Sequence, residues 1–93
     1  MYESLPVGYT TVYVGGAPYY YYGGNYYQRT GAQYEVIVPP PGAIVRYLPQ
    51  DARMVVIDGV TYFVLDTTWY RRYFDDTGAV AYRVVRDPLS GGR

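Results

Sequence analysis

The chain of 93 residues has no cysteine and no histidine, and it has no lysine either, since all eight cations are arginine. Each absence closes off a kind of chemistry. Without cysteine there is no disulfide framework and no thiol nucleophile, and without cysteine or histidine there is no zinc finger. No imidazole base, Schiff-base lysine or Walker-type phosphate loop is available. Long hydrophobic runs are missing as well, none nearing the ~20 apolar residues of a membrane span. Eight Asp and Glu cancel the eight Arg, and a neutral chain argues against a nucleic-acid binder that works by neutralising phosphates. The opening residues Met1-Tyr2-Glu3-Ser4-Leu5-Pro6 have neither the basic nor the apolar region of a signal peptide, so any export signal is expected to lie outside this sequence.

What is abundant is tyrosine, 15 residues of it, with 11 glycines and 7 prolines. Tyrosine buries a large ring but carries a hydroxyl that requires water or a partner. A chain this aromatic and this sparsely charged is outside the disordered class. Tyrosine and charge are also unevenly placed. Residues 1–45 hold ten tyrosines and three charged side chains, Glu3, Arg29 and Glu35, while residues 46–93 hold five tyrosines and thirteen charges.

The chain repeats itself at an offset of 43 residues. Leu5-Pro6 falls on Leu48-Pro49, Val12 on Val55, Gly16 on Gly59, Tyr19 on Tyr62, Tyr27 on Tyr70 and Arg29 on Arg72. After an insertion of about five residues near Asp75-Asp76, Tyr34 and Val36 meet Tyr82 and Val84. A duplicated supersecondary unit explains the pattern. Gly15-Gly16 and Asp58-Gly59 are pairs that suit two-residue primed hairpin turns, and Gly23-Gly24 and Asp66-Thr67 sit at the next turn of each copy. Strands are therefore predicted at 10–14, 18–22, 25–29 and 34–38, and again at 53–57, 61–65, 68–73 and 81–86. Pro39-Pro40-Pro41-Gly42 breaks the chain between copies, and 43–48 reads as one more strand. No stretch free of Gly and Pro shows a helical period, and Tyr, Val and Thr favour strands.

Alternation predicts the core. Val12 and Val14, with their equivalents Val55 and Ile57, are expected on inward faces, as are Val36 and Val84. Phe63, Leu65 and Trp69 complete it, and the run Tyr62-Phe63-Val64-Leu65 reads as a strand buried on both sides. Tyrosines replace that run in the first copy. The candidate contact surface is therefore drawn from Tyr19, Tyr20, Tyr21, Tyr22, Tyr26 and Tyr27 with Arg29, a nearly uncharged aromatic platform for sugar rings, peptide or a second copy, in which only alternate tyrosines, Tyr20 with Tyr22 or Tyr19 with Tyr21, share one face. The competing reading is ordinary cross-strand aromatic packing.

Catalytic patterns are weak. Asp76-Thr77-Gly78 matches the aspartic-protease loop, but that chemistry needs two such loops sharing a proton, and the first copy has Thr30-Gly31 without an acid. A polar hairpin turn is the simpler account. Arg71-Arg72 reads as solvated strand charge that discourages edge pairing. No metal, cofactor or catalytic residue is expected.

The segment Leu5-Pro6-x-Gly8-Tyr9-Thr10-Thr11-Val12-x-Val14-Gly15-Gly16-x-Pro18-Tyr19-Tyr20-Tyr21-x-Gly23-Gly24-x-Tyr26-Tyr27, followed by Val36-x-Val38-Pro39-Pro40-x-Gly42-Ala43, resembles a bacterial domain-of-unknown-function family. Its members are small Tyr/Gly/Pro-rich exported envelope proteins of Gram-negative bacteria. The resemblance implies a periplasmic or cell-surface location and brings no assigned activity. Later residues depart from it, Gly23-Gly24-Asn25 having become Asp66-Thr67-Thr68.

The expectation is one all-β domain of two tandem β-meanders, 5–47 and 48–88, closed as a small barrel or sandwich, with a flexible tail at 89–93. The expected role is a non-enzymatic envelope component that assembles with itself through strand edges and tyrosine-rich faces. A glycan- or peptidoglycan-binding module is the alternative and a hydrolase the distant third. Partners are expected to be a second copy, an envelope glycan or a protein, with no nucleic acid and no transmembrane segment.

Overall fold

Tight turns set the strand ends. Gly15 and Gly16 sit at φ 59° and 85°, and their counterparts Asp58 and Gly59 at 51° and 81°. Both central residues of each turn are thus left-handed, which matches the twist of a two-residue hairpin. In the computed structural model, which describes residues 2–89, nine strands result and no helix is found among the described residues. They are β1 (Thr10–Val14), β2 (Ala17–Tyr22), β3 (Asn25–Thr30), β4 (Gln33–Ile37), β5 (Ile44–Val45), β6 (Arg53–Ile57), β7 (Val60–Leu65), β8 (Thr68–Phe74) and β9 (Val80–Val85). Residues 90–93 of the expected tail lie outside the described residues.

The first sheet has the order β1-β2-β3-β4 and the second β5-β9-β8-β7-β6, antiparallel throughout. The two sheets stay separate and form a small sandwich of tandem meanders rather than a barrel. The 43-residue repeat survives in the register: Tyr20, Tyr27 and Val36 pair across the first sheet where Phe63, Tyr70 and Val84 pair across the second. The strand that precedes each meander follows the same rule. Val45 pairs with Tyr82 beside β9, and Tyr2 exchanges two 2.6 Å backbone hydrogen bonds with Tyr34 beside β4.

Side chains from both sheets make the core. Val12, Tyr21 and Tyr26, backed by Val14 and Ile37, meet Val45, Leu65, Tyr70 and Val84, backed by Phe63 and Tyr82. Ala43, Leu48 and Ala52 from the connecting segments close it. Tyr26 and Tyr70 are the largest fully buried side chains, each contributing on the order of 4 kcal/mol gross at ~25 cal/mol per Å².

The two copies do not turn equivalent faces inward. Val55 and Ile57, expected to point in with Val12 and Val14, lie half-buried on the outward face of the second sheet. The register gives the reason. Val55, Tyr62, Arg71 and Arg83 share one face, and turning it inward would bury two adjacent guanidiniums with no carboxylate between them. The face bearing Phe63, Leu65, Tyr70 and Val84 goes in instead. Trp69, also expected in the core, is carried outward with Val64. Val36 is 47% exposed, because it shares the outward face of the first sheet with Tyr27, whereas its equivalent Val84 is buried.

Candidate functional site

Alternation splits the expected tyrosine platform in two. Tyr19, Tyr21 and Tyr26 point toward the second sheet, and Tyr20, Tyr22, Tyr27 and Arg29 point away from it. Tyr21 and Tyr26 are buried and unavailable for contact. Their hydroxyls are satisfied across the sandwich: Tyr21 donates to the Tyr47 carbonyl at 2.8 Å, and Tyr26 shares a 2.8 Å hydrogen bond with the Tyr70 hydroxyl. Tyr27 is outward yet buried, because the Tyr2 ring covers it edge-on at 5.7 Å. Arg29 is exposed and folds back onto the Gly31 carbonyl at 3.0 Å.

What remains on the first sheet is an outward face of linked rings. Tyr9 stands edge-on to Tyr20 at 5.6 Å, and Tyr20 edge-on to Tyr34 at 5.8 Å. Tyr13 (69% exposed), Tyr22 (43%) and Val36 extend it into solvent. Among its strand positions only Arg29, at one end, is charged.

The outward face of the second sheet went unnoticed in the sequence. It carries Tyr62 edge-on to Trp69 at 5.7 Å, with Val55, Val64 and Val85 around them. Arg53, Arg71 and Arg83 lie among these residues, and the Arg83 guanidinium sits 5.0 Å from the Tyr73 ring centre. None of the strand positions on this face is a carboxylate. The signal was present as the alternation Trp69-x-Arg71-x-Tyr73, once the face was known to point out. A groove of about 380 Å³ runs beside Trp69 and Val85, its other wall being Val38, Pro39 and Pro41.

The perturbed groups belong to the core and to one turn. Burial pushes the Tyr26 phenol well above its usual value, and the hydrogen bond with Tyr70 adds to this. Burial also raises Tyr70, partly offset by that bond, and raises Tyr21. Such phenols stay protonated at neutral pH and are poor nucleophiles. In the Asp-Thr-Gly turn the working acid is Asp75. Its Oδ1 accepts from the Thr77 hydroxyl (2.6 Å), the Thr77 amide (2.8 Å) and the Ala79 amide (3.0 Å), while Oδ2 pairs with Arg46. These donors hold its carboxyl well below the usual range, the Thr77 hydroxyl first and Arg46 next. That is a turn lock. Among the described residues, no group of three acidic, His or Cys side chains is placed to hold a metal ion.

A family model described as Family of unknown function (DUF6515) matches residues 1–87. No curated protein and no solved structure matches the chain.

Proposed function

The chain belongs to the Family of unknown function (DUF6515), and we propose that it is a non-enzymatic structural module of the bacterial envelope that works by self-association. The observation that carries this reading is the outward face of the first sheet, where exposed Tyr13, Tyr22 and Val36 form an almost uncharged patch. Contiguous apolar surface of that kind marks contact sites, and tyrosine is the residue that serves both a wet and a buried state. The free edge strand β6 adds Met54 and Val56, both largely exposed and without a lysine gatekeeper. An exported location, periplasmic or cell-surface, is part of the proposal.

Light scattering across a concentration series tests it. The expected result is a mass that rises with concentration above that of one chain, and a single-chain mass at every concentration overturns it. Fractionation of cells expressing the native gene tests the location. A second reading, stacking on glycan rings, draws on the exposed ring of Tyr22. It predicts retention on insoluble peptidoglycan that weakens in Tyr20→Ala and Tyr22→Ala.

A further inference from the structure

The internal interface of this sandwich is heterologous. The face of the first copy bearing Val12, Tyr21 and Tyr26 packs against the face of the second copy bearing Phe63, Leu65, Tyr70 and Val84. By the repeat, the positions equivalent to Phe63, Leu65, Tyr70 and Val84 are Tyr20, Tyr22, Tyr27 and Val36, which form the free face of the first sheet. The positions equivalent to Val12, Tyr19, Tyr21 and Tyr26 are Val55, Tyr62, Val64 and Trp69, which form the free face of the second. Each molecule therefore offers, unpaired, one example of each half of the interface it has already made inside itself.

We infer that copies of this chain stack head to tail, the outward face of the second sheet of one copy packing on the outward tyrosine face of the first sheet of the next. The inference rests on the self-association proposed above and gives it a geometry. A contact between two different faces does not close on itself, so it extends into an open stack. Repeat architectures grow in this way, each unit burying the face its neighbour leaves bare, and two units are fewer than such arrays usually need.

Three observations favour this occupant. First, the outward face of the second sheet has kept Val55, Tyr62, Val64 and Trp69, apolar or aromatic residues, Val64 buried and the other three half-buried, although none of them belongs to the core between the sheets. Second, the free faces match in chemistry: Arg71 and Arg83 on one side and tyrosine rings on the other are the partners of cation–π contact, the one charge among the tyrosines, Arg29, lying at the end of its face. Third, the segment that covers the free face of the first sheet is no obstacle. Tyr2 lies over Tyr27 in the position that Val45 takes beside Tyr70, inside the interface that already exists.

The stack contact is looser than the internal one. Inside the molecule Gly24 comes so close to Leu65 that an added Cβ would stand 2.7 Å from its Cδ2. At the equivalent places between molecules stand Thr67 and Tyr22. A threonine against a tyrosine cannot approach as closely, which makes the assembly reversible and leaves the fold unaffected.

Blocking one end at a time tests the inference. Tyr22→Arg blocks the first-sheet face, and Arg71→Glu with Arg83→Glu blocks the second-sheet face; all three positions are exposed, and circular dichroism checks that each variant keeps its sheet. Each blocked protein alone is expected to be a single chain, with association weakened at least tenfold. Mixed one to one, they are expected to give a two-chain complex and nothing larger, since one competent face remains on each. Variants that each still grow like the parent, that each form a closed pair alone, or that stay single when mixed overturn the stack. Self-association of the parent survives those results, whereas a parent that is always a single chain sinks both readings. As a second measurement, the cysteine-free chain with Tyr22→Cys and Thr67→Cys together is expected to oxidise into a covalent ladder of many chains. Tyr22→Cys alone or Thr67→Cys alone is expected to stop at two chains at most. Ladder and single-cysteine proteins behaving alike also overturns the stack.

Discussion

Removing one hydroxyl from the Tyr26–Tyr70 pair tests what joins the two sheets. The rings are 0% exposed, one on β3 and one on β8, and their hydroxyls lie 2.8 Å apart. Tyr70→Phe takes away one partner and leaves the Tyr26 hydroxyl buried without it, as Tyr26→Phe does to Tyr70. Each single change is expected to cost about 1–3 kcal/mol, the desolvation penalty of an unmatched buried hydroxyl. The double change Tyr26→Phe/Tyr70→Phe strands nothing, so its cost should fall near the net worth of one hydrogen bond, about 0.5–1.5 kcal/mol. The coupling is then roughly 1.5–4.5 kcal/mol, well above the ~0.3–0.5 kcal/mol within which independent sites add. Urea unfolding at low protein concentration reads it, as shifts in midpoint at constant slope. For a domain of this size each kcal/mol also moves the melting temperature by about 4–8 °C. Costs that simply add would show that the hydroxyls do not act as a pair, and the reasoning would fail.

Three further outcomes follow from the same packing. The phenols of Tyr21, Tyr26 and Tyr70 are all raised above the usual value of 10.0; the unfolded chain therefore loses these protons first, and their contribution is present below pH ~10 and lost above it, by up to about 1.4 kcal/mol per pH unit for each phenol. Phenolate absorbance should accordingly show some tyrosines ionising only as the protein unfolds; fifteen titrating together near pH 10 with no loss of stability would refute this. Gly24→Ala meets both a φ of +93° and the Leu65 side chain and should cost about 2–4 kcal/mol, whereas Gly16→Ala, at φ +85° with open space, should cost only about 1–2 kcal/mol of backbone strain; equal losses in denaturant midpoint would contradict the close approach. The Asp75 carboxyl is held below its unfolded value of 3.8, so its contribution is present above pH ~4 and lost as pH falls below that. Asp75→Asn should therefore flatten the acid limb of a melting-temperature profile while leaving the alkaline limb in place.

Strand positions and turns were legible because they rest on local chemistry. Gly15-Gly16 and Asp58-Gly59 demand left-handed residues wherever they occur, and the 43-residue repeat carried the register from one copy to the other. What local chemistry does not contain is which face of a sheet meets the other sheet. Assuming that equivalent residues do equivalent work places Val55 and Ile57 inside with Val12 and Val14, and Val36 inside with Val84, and all three point out. The decisive signal lay in Arg71 and Arg83, two cations directly paired across β8 and β9, whose burial is too costly. At residues 19–22 alternation is legible, since consecutive tyrosines on a strand belong to two faces, but which of the two faces is buried is not, because hydroxyl partners such as the Tyr47 carbonyl lie too far along the chain to be inferred.

Part of the tyrosine imbalance between the copies follows from this front-to-back packing. At the positions that face inward in the second copy and outward in the first, the second has Phe63 and Leu65 where the first has Tyr20 and Tyr22. At these two places the inward position has a side chain with no hydroxyl to satisfy and the outward one a tyrosine, whereas the buried Tyr21, Tyr26 and Tyr70 have hydrogen-bond partners for theirs. Opposite them the pattern does not invert. Exposed Arg71 and Arg83 replace Gln28 and Glu35, as solubility requires, yet Val55, Tyr62, Val64 and Trp69 stay as apolar as Val12, Tyr19, Tyr21 and Tyr26. Val64 on that face is buried within the molecule, while Val55, Tyr62 and Trp69 keep part of their surface in water. Retained apolarity on one free face and tyrosine on the other are what a module needs if it must fold alone and still dock against its own kind.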